Sequence, residues 1–215
     1  MQVKHLSMRT IITLIFCLAA VASLAVAAIS FGPLSRVHAA SAVGNHKYVP
    51  SGNGQQKSIK TTITWYGYND NSGQTENQYG SADIAYPKNG GYPTLHNLAT
   101  EGKGTYTDPV TFAAPNKDLK KSFPIGSIIY VPLVKKYFIM EDECGDTDPQ
   151  GCQNGTNHAD LWMGPQHASN GTKLDDCEGN ATPGSPSTVI INPSATLAVD
   201  TGVMFQNNKC TIHLH

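Results

Sequence analysis

The stretch from Lys136 to Gly164, KYFIMEDECGDTDPQGCQNGTNHADLWMG, most constrains what this chain can fold into. Tyr137 to Met140 is aromatic and branched, as a buried strand requires. Glu141, Asp142, Glu143, Asp146 and Asp148 then follow in quick succession. After the loop, a period of two in HADLWM sends His158, Asp160 and Trp162 to one side and Ala159, Leu161 and Met163 to the other. The second set points to a core. The first puts an acid, an imidazole and an indole together, a grouping suited to a sugar ring stacked on the indole and a proton managed by the carboxyl.

Other segments have the same character. Ser58 to Tyr66 alternates Ile59, Thr61, Ile63 and Trp65 against Lys60, Thr62, Thr64 and Tyr66, which predicts a first strand. Further strands are expected at Val110–Ala113, Ser127–Pro132 and Thr188–Ile191, and one helical turn at Asn116–Lys121. A tight turn is expected at Phe123-Pro124-Ile125-Gly126. No run of ten residues beyond the leader shows a clean 3.6-residue period, so the expected class is all-β, a barrel or sandwich with long surface loops.

Residues 1–40 are expected to be a cleavable signal peptide. Lys4 and Arg9 precede an uncharged apolar run from Ile11 to Phe31, and Val37-His38-Ala39 offers a cleavage site. An uncleaved membrane anchor is the rival, since that run is long enough to span a bilayer. Residues 41–57 form a polar, Gly-rich leader, and residues 58–215 one domain with a C-terminal extension. Without Lys4, Arg9 and Arg36, the 15 basic residues fall to 12, all lysine, against 16 acids, a net charge of about −4. A domain lacking arginine is poorly equipped for phosphates or base edges, so nucleic acid is not an expected partner. After cleavage no stable membrane insertion is expected, and a monomer is.

Four cysteines remain beyond the leader, and four allow three connectivities. Cys144 and Cys152 flank the acidic loop and form the natural pair, leaving Cys177 with Cys210. An exported chain favours disulfides over zinc. Asp146-Thr147-Asp148 resembles a fragment of a calcium loop, but the remaining spacing is wrong. No metal and no cofactor are expected.

With these residues in view, the chain resembles the double-psi β-barrel superfamily: expansins, family-45 endoglucanases, barwin-like proteins, the rare lipoprotein A family and three-aspartate lytic transglycosylases. His158-Ala159-Asp160 is similar to the His-x-Asp motif of expansins and family-45 enzymes. Asp142 resembles the second aspartate of the three-aspartate domain and Asp108, in TYTDPVTFAAP, the first. Trp65-Tyr66-Gly67 resembles the aromatic-Tyr-Gly run that opens the barrel in expansins and the rare lipoprotein A family. The resemblance implies a six-stranded double-psi barrel with an open groove. It implies Asp160 as general acid, Asp142 as its catalytic partner, and Tyr66, Trp162, His158 and Asp108 as substrate contacts. Where family-45 enzymes carry a base aspartate two residues after the tyrosine, this chain has Tyr68, and Asp70 only two residues later.

The expected function is therefore that of a secreted, expansin-like protein that binds and remodels cell-wall polysaccharide: cellulose, chitin or peptidoglycan. The alternatives are a lytic transglycosylase or glycoside hydrolase using Asp160, and a barwin-like defence or inhibitor protein with a protein partner. Export predicts a mature N-terminus close to Ala40. Intact-mass measurement of secreted protein checks this, and Met1 to Phe31 retained in membranes would refute it.

Overall fold

The computed structural model describes residues 54–71, 80–99, 101–115, 122–145, 152–154, 157–164 and 171–215. The expected signal peptide, most of the leader, the turn at 116–121, Asp146 and Asp148 lie outside them. In chain order the elements are β1 (Lys57–Tyr66), β2 (Val110–Ala114), β3 (Ile128–Val131), β4 (Lys136–Glu143), β5 (His158–Trp162), α1 (Gly171–Ala181), β6 (Ser187–Ile191), β7 (Phe205–Gln206) and β8 (Lys209–Cys210).

Strands β1 to β6 close into a barrel in the order β1-β5-β2-β4-β3-β6. Two neighbouring pairs are parallel, β1 with β5 and β2 with β4, and the others antiparallel. Closure leaves no unpaired sheet edge in the barrel. Alternation fills its interior: Ile63 and Trp65 from β1, Phe112, Ile129, Phe138, Met140, Leu161 and Val189 are all buried. Trp65 meets the edge of Phe138 with ring centres 6.4 Å apart.

Strand β4 is buried along nearly its whole length, which is why KYFIM reads as an unbroken apolar run rather than an alternating one. Its outer face carries Tyr137 and Ile139, packed with Ile128 and Tyr130 of β3 into a second apolar cluster. The chain after β6 covers that cluster. The Tyr137 hydroxyl donates to the Ser194 carbonyl (2.5 Å) and accepts the Leu197 N–H (3.0 Å), and the Tyr130 hydroxyl donates to Ala198 O (2.6 Å). Lys136 Nζ adds a bond to Gly202 O at 2.6 Å.

The expected turn before β3 is present: Ser127 N–H bonds Pro124 O at 2.9 Å, and Gly126 takes φ +78°. A β-carbon there would lie 1.9 Å from Pro93 O, so only glycine fits. Both predicted disulfides are formed, with Cα separations of 6.0 Å for Cys144–Cys152 and 5.4 Å for Cys177–Cys210. The second ties α1 to β8, which pairs only with β7 as a short hairpin.

Helix α1 corrects the expectation of no helical period. Leu174, Cys177, Glu178 and Ala181 are its buried residues, an i, i+3, i+4, i+7 face. A glutamate at the i+4 position and Gly179 within the helix disguise the pattern.

The strap over Tyr137 generates a prediction. Tyr137→Phe removes a hydroxyl that makes two bonds, and should cost about 1–3 kcal/mol in urea unfolding. Hydrogen exchange should accelerate at residues 194–199 more than in the barrel strands; a uniform change would refute the strap.

Candidate functional site

Register alone brings the central residues together. Asp160 on β5 lies opposite Thr64 of β1 on one side and Ala113 of β2 on the other. Ala113 in turn lies opposite Asp142 of β4. That last pairing depends on a bulge: Phe112 faces Met140, but the next residue, Ala113, faces Asp142, so β4 spends Glu141 as an extra residue. The result is a row across four strands, Thr64, Asp160, Ala113 and Asp142. The two acids are separated by one small side chain, about 10 Å apart at their α-carbons from the usual strand spacing.

The two carboxyls have different surroundings. Asp142 is 6% exposed. Its Oδ1 accepts the N–H groups of Ala85 (2.8 Å) and Glu143 (2.9 Å), and its Oδ2 accepts the Tyr66 hydroxyl at 3.0 Å. Burial outweighs these bonds and pushes its pKa up to about 6. Asp160 is half-buried. Its Oδ1 accepts the Thr64 hydroxyl at 2.6 Å, and Thr64 Oγ1 is also 2.8 Å from His158 Nε2. Threonine has one hydroxyl proton, so with that proton on Asp160 the His158 Nε2–H donates to Thr64. A relay thus runs from a buried imidazole through a hydroxyl to the one half-open carboxyl of the row.

The two aromatic residues expected to contact substrate, Tyr66 and Trp162, are both buried. Tyr66 is 7% exposed and Trp162 2%, and their rings meet edge-on at 5.1 Å. Burial, with Asp142 and Asp160 nearby, raises the Tyr66 pKa well above that of a free phenol, so it stays a hydrogen-bond donor. The Trp162 indole N–H is satisfied by Gly164 O at 2.5 Å. Trp162 also lines a cavity of ≈ 280 Å³ with Val110, Met163, Met204 and Phe205.

Asp108 belongs to another network. Its carbonyl accepts the N–H groups of Lys103, Gly104 and Thr105. Its carboxylate pairs with Lys103 Nζ at 3.2 Å and lies 3.7 Å from His96 Nε2. His96 Nδ1 contacts Glu141 Oε2 at 2.7 Å. Burial works against a charge on His96, but Glu141, Glu101 and Asp108 outweigh it and raise its pKa. Glu141, fully buried, also accepts the N–H groups of Leu95 (2.6 Å) and His96 (2.9 Å) and the Thr111 hydroxyl (2.9 Å). The bulge therefore sends consecutive acids to separate tasks.

Sequence reasoning missed Glu178. It sits on the buried face of α1, 6% exposed, and its Oε1 has no hydrogen-bond partner among the described residues. Burial, then Asp70, Asp175 and Asp160, push its pKa up to about 9. Gly67 makes room for it: a β-carbon there would lie 2.6 Å from Leu174 Cδ2 and 2.7 Å from Glu178 Oε1. Asp70 Oδ1 accepts the Gly67 N–H at 2.7 Å. The available signal was the spacing of Leu174, Cys177 and Ala181, with a glutamate completing the stripe.

Raised carboxyl pKa values have a definite consequence. Folding is aided by protonation, so this contribution is complete below the ordinary carboxylate pKa and is lost as pH rises through about 6 for Asp142 and about 9 for Glu178. Glu178→Gln, neutral at every pH, should flatten the decline of the melting temperature toward alkaline pH. Parallel wild-type and variant curves would refute the assignment.

Similarity to known proteins adds family membership. An uncharacterized protein of Dictyostelium discoideum, DDB_G0273701/DDB_G0273221, is 37% identical over 150 residues, covering 70% of this chain. The match spans 58% of that relative's length. No solved structure matches. The model of the DDB_G0273701 N-terminal domain matches residues 58–211, the segment that holds the barrel, α1 and both disulfides, and the chain belongs to that family.

Proposed function

We propose that the protein is an exported, expansin-like member of the double-psi β-barrel superfamily that binds and remodels cell-wall polysaccharide on the face carrying Asp160. A closed six-stranded barrel with two parallel strand pairs is compatible with that superfamily. Two disulfides suit an oxidising compartment outside the cell.

One observation carries the reading. Of the two acids in the row, Asp160 is half-open, whereas Asp142 is buried under three hydrogen bonds. Inverting hydrolysis requires a second carboxylate free to activate water, roughly 6.5–9.5 Å from the first. Asp142 is engaged as a positioning group that holds Tyr66 and the Ala85 backbone. Within the row only one acid is accessible, which favours loosening of a bound polymer over ordinary hydrolysis.

The relay through His158 and Thr64 favours a second reading, lytic transglycosylation. There Asp160 gives its proton to the glycosidic oxygen as the bond to the anomeric carbon breaks. A hydroxyl of the same sugar attacks that carbon and returns its proton to the Asp160 carboxylate, leaving an anhydro end. One acid suffices.

Incubation of the mature protein with cellulose, chitin and peptidoglycan, measuring bound protein and released sugars, tests both. Binding without soluble product supports loosening; anhydro ends support transglycosylation. Asp160→Asn is nearly isosteric and should remain folded. It should lower any cleavage by about 10²–10⁴-fold, the usual worth of a general acid. A folded Asp160→Asn protein with every activity intact would remove Asp160 from the site, and failure to bind any of the three polymers would end the polysaccharide reading.

A further inference from the structure

The cavity beside Trp162 is used by neither reading. The parallel strands β2 and β4 begin at the same end of the barrel, and β5, antiparallel to β2, ends there. The chain at 201–206 forms the facing wall, tied down by the Thr211 N–H bond to Met204 O (2.9 Å) and by the pairing of β7 with β8. The enclosed space of ≈ 280 Å³ is floored by Val110, Trp162, Met163, Met204 and Phe205. It meets solvent where Thr201 and Gln206, also on its lining, are exposed. Val203 beside them is 52% exposed, one of three large apolar side chains so exposed among the described residues. An open apolar recess of this size belongs at the small end of small-molecule sites, which span about 300–1,000 Å³.

The lining includes a buried cation. Lys136 is 4% exposed, and Gly202, whose carbonyl accepts a bond from its Nζ at 2.6 Å, lines the same cavity. A second bond goes to Asp200 O at 2.5 Å. An ammonium has three N–H groups, so one remains to donate. Among the described residues no carboxylate forms an ion pair with it. The Asp200 carboxylate is taken by His213 at 3.0 Å, with His215 at 3.7 Å. Glu101, the acid on the lining, turns its Oε2 to the N–H groups of Asn97 (2.6 Å) and Leu98 (3.3 Å). Holding two carbonyls accounts for the donors of Lys136 but not for its charge, since a neutral donor would serve. Buried charges are ordinarily paired, and burial works against this one, lowering its pKa.

We infer that the cavity is a binding site for a small organic acid, with its apolar body on the floor and its carboxylate on Lys136 Nζ. A lysine offers a point charge rather than the fork of an arginine, which suits one carboxylate oxygen better than a phosphate needing several donors. The floor excludes a second charge, so the ligand is a monocarboxylate with an aromatic or branched body. Its body would cover Val203. Lys103 at the mouth, with an exposed side chain, adds a second positive group, shared with Asp108 at 3.2 Å. The inference does not rest on the polysaccharide reading, because no residue of the row Thr64, Asp160, Ala113 and Asp142 lines this cavity. No covalent bond is made or broken.

Titration of the full secreted protein with phenylacetate, isovalerate and hexanoate, each beside its uncharged amide, tests this by calorimetry and tryptophan fluorescence. Trp162 is one of two tryptophans and Trp65 lies in the core, so a ligand on the floor should change the emission of Trp162. At least one acid should bind about tenfold or more above its amide, the usual worth of a charge-assisted bond. Lys136→Gln keeps a donor for the carbonyls and removes the charge, and should erase that preference. Val203→Asp, at the exposed mouth, should weaken acid binding several-fold and leave the melting temperature unchanged, so the test survives if Lys136→Gln fails to fold.

Failure of all three acids to bind at millimolar concentration would overturn the inference, as would equal affinity for acid and amide. A preference for acid that persists in folded Lys136→Gln, or in Val203→Asp, would place the anion elsewhere on the surface. An N-acetylated peptide ending in phenylalanine that binds far more tightly than every free acid would overturn it in favour of a protein C-terminus.

Discussion

Two consecutive acids on β4 hold together the part of the molecule that regular sheet pairing does not. The connection from β1 to β2 runs for more than forty residues, and none of its described residues belongs to a barrel strand. Glu141 draws in the Leu95 and His96 backbone, the His96 ring and the Thr111 hydroxyl, while its own carbonyl accepts the Tyr86 N–H at 2.9 Å. Asp142 takes the Ala85 N–H and the Tyr66 hydroxyl. A carboxylate buried without such partners costs several kcal/mol, so each acid selects the one course of the connection that satisfies it. Because the bulge turns the two acids to separate partners, one strand anchors both ends of the 85–96 segment.

The same bulge gives the candidate site its asymmetry. Without the extra residue in β4, Ala113 would lie opposite Glu141, and the row would end on the acid that organises His96. With it, the row ends on Asp142, sealed by Tyr66, and Asp160 remains as the acid that meets solvent. The fold thus uses its three buried acids among the described residues, Glu141, Asp142 and Glu178, as structure or proton store and leaves Asp160 half-open. His158 extends that acid inward: its imidazole is 2% exposed, so the relay leads away from solvent rather than into it.

What could be seen in the sequence was whatever depends on local period or chain proximity. The alternation of Ile59, Thr61, Ile63 and Trp65 placed β1, and that of Ala159, Leu161 and Met163 placed β5, because one side of each strand faces a filled interior. Cys144 and Cys152 are near in sequence, so their pairing follows from chain length, and the second disulfide by exclusion. Burial of Trp162 could not be seen, because it comes from Tyr66 on the neighbouring strand and from chain near residue 204. Asp108 could not be assigned to His96 and Glu141, since that contact requires the long connection to be folded. The helix was missed for a chemical reason: an apolar stripe containing a carboxyl does not register as a stripe.

That carboxyl is where fold and site make opposite demands. Gly67 has no side chain, which lets Leu174 and Glu178 close over the end of β1, and the disulfide from the adjacent Cys177 fixes the helix there. Packing alone would fill such a position with an aliphatic residue, and replacing a buried charged group by a well-packed apolar one is commonly neutral or stabilising by about 1–4 kcal/mol. A chain that instead keeps a glutamate there, with its Oε1 unpartnered among the described residues, violates its own local rule at one spot. Departures of this kind concentrate where binding or chemistry sets the requirement. The helix that looks like a late addition to an all-β barrel thus packs a buried acid of its own against the end of β1, where Gly67 leaves room for it.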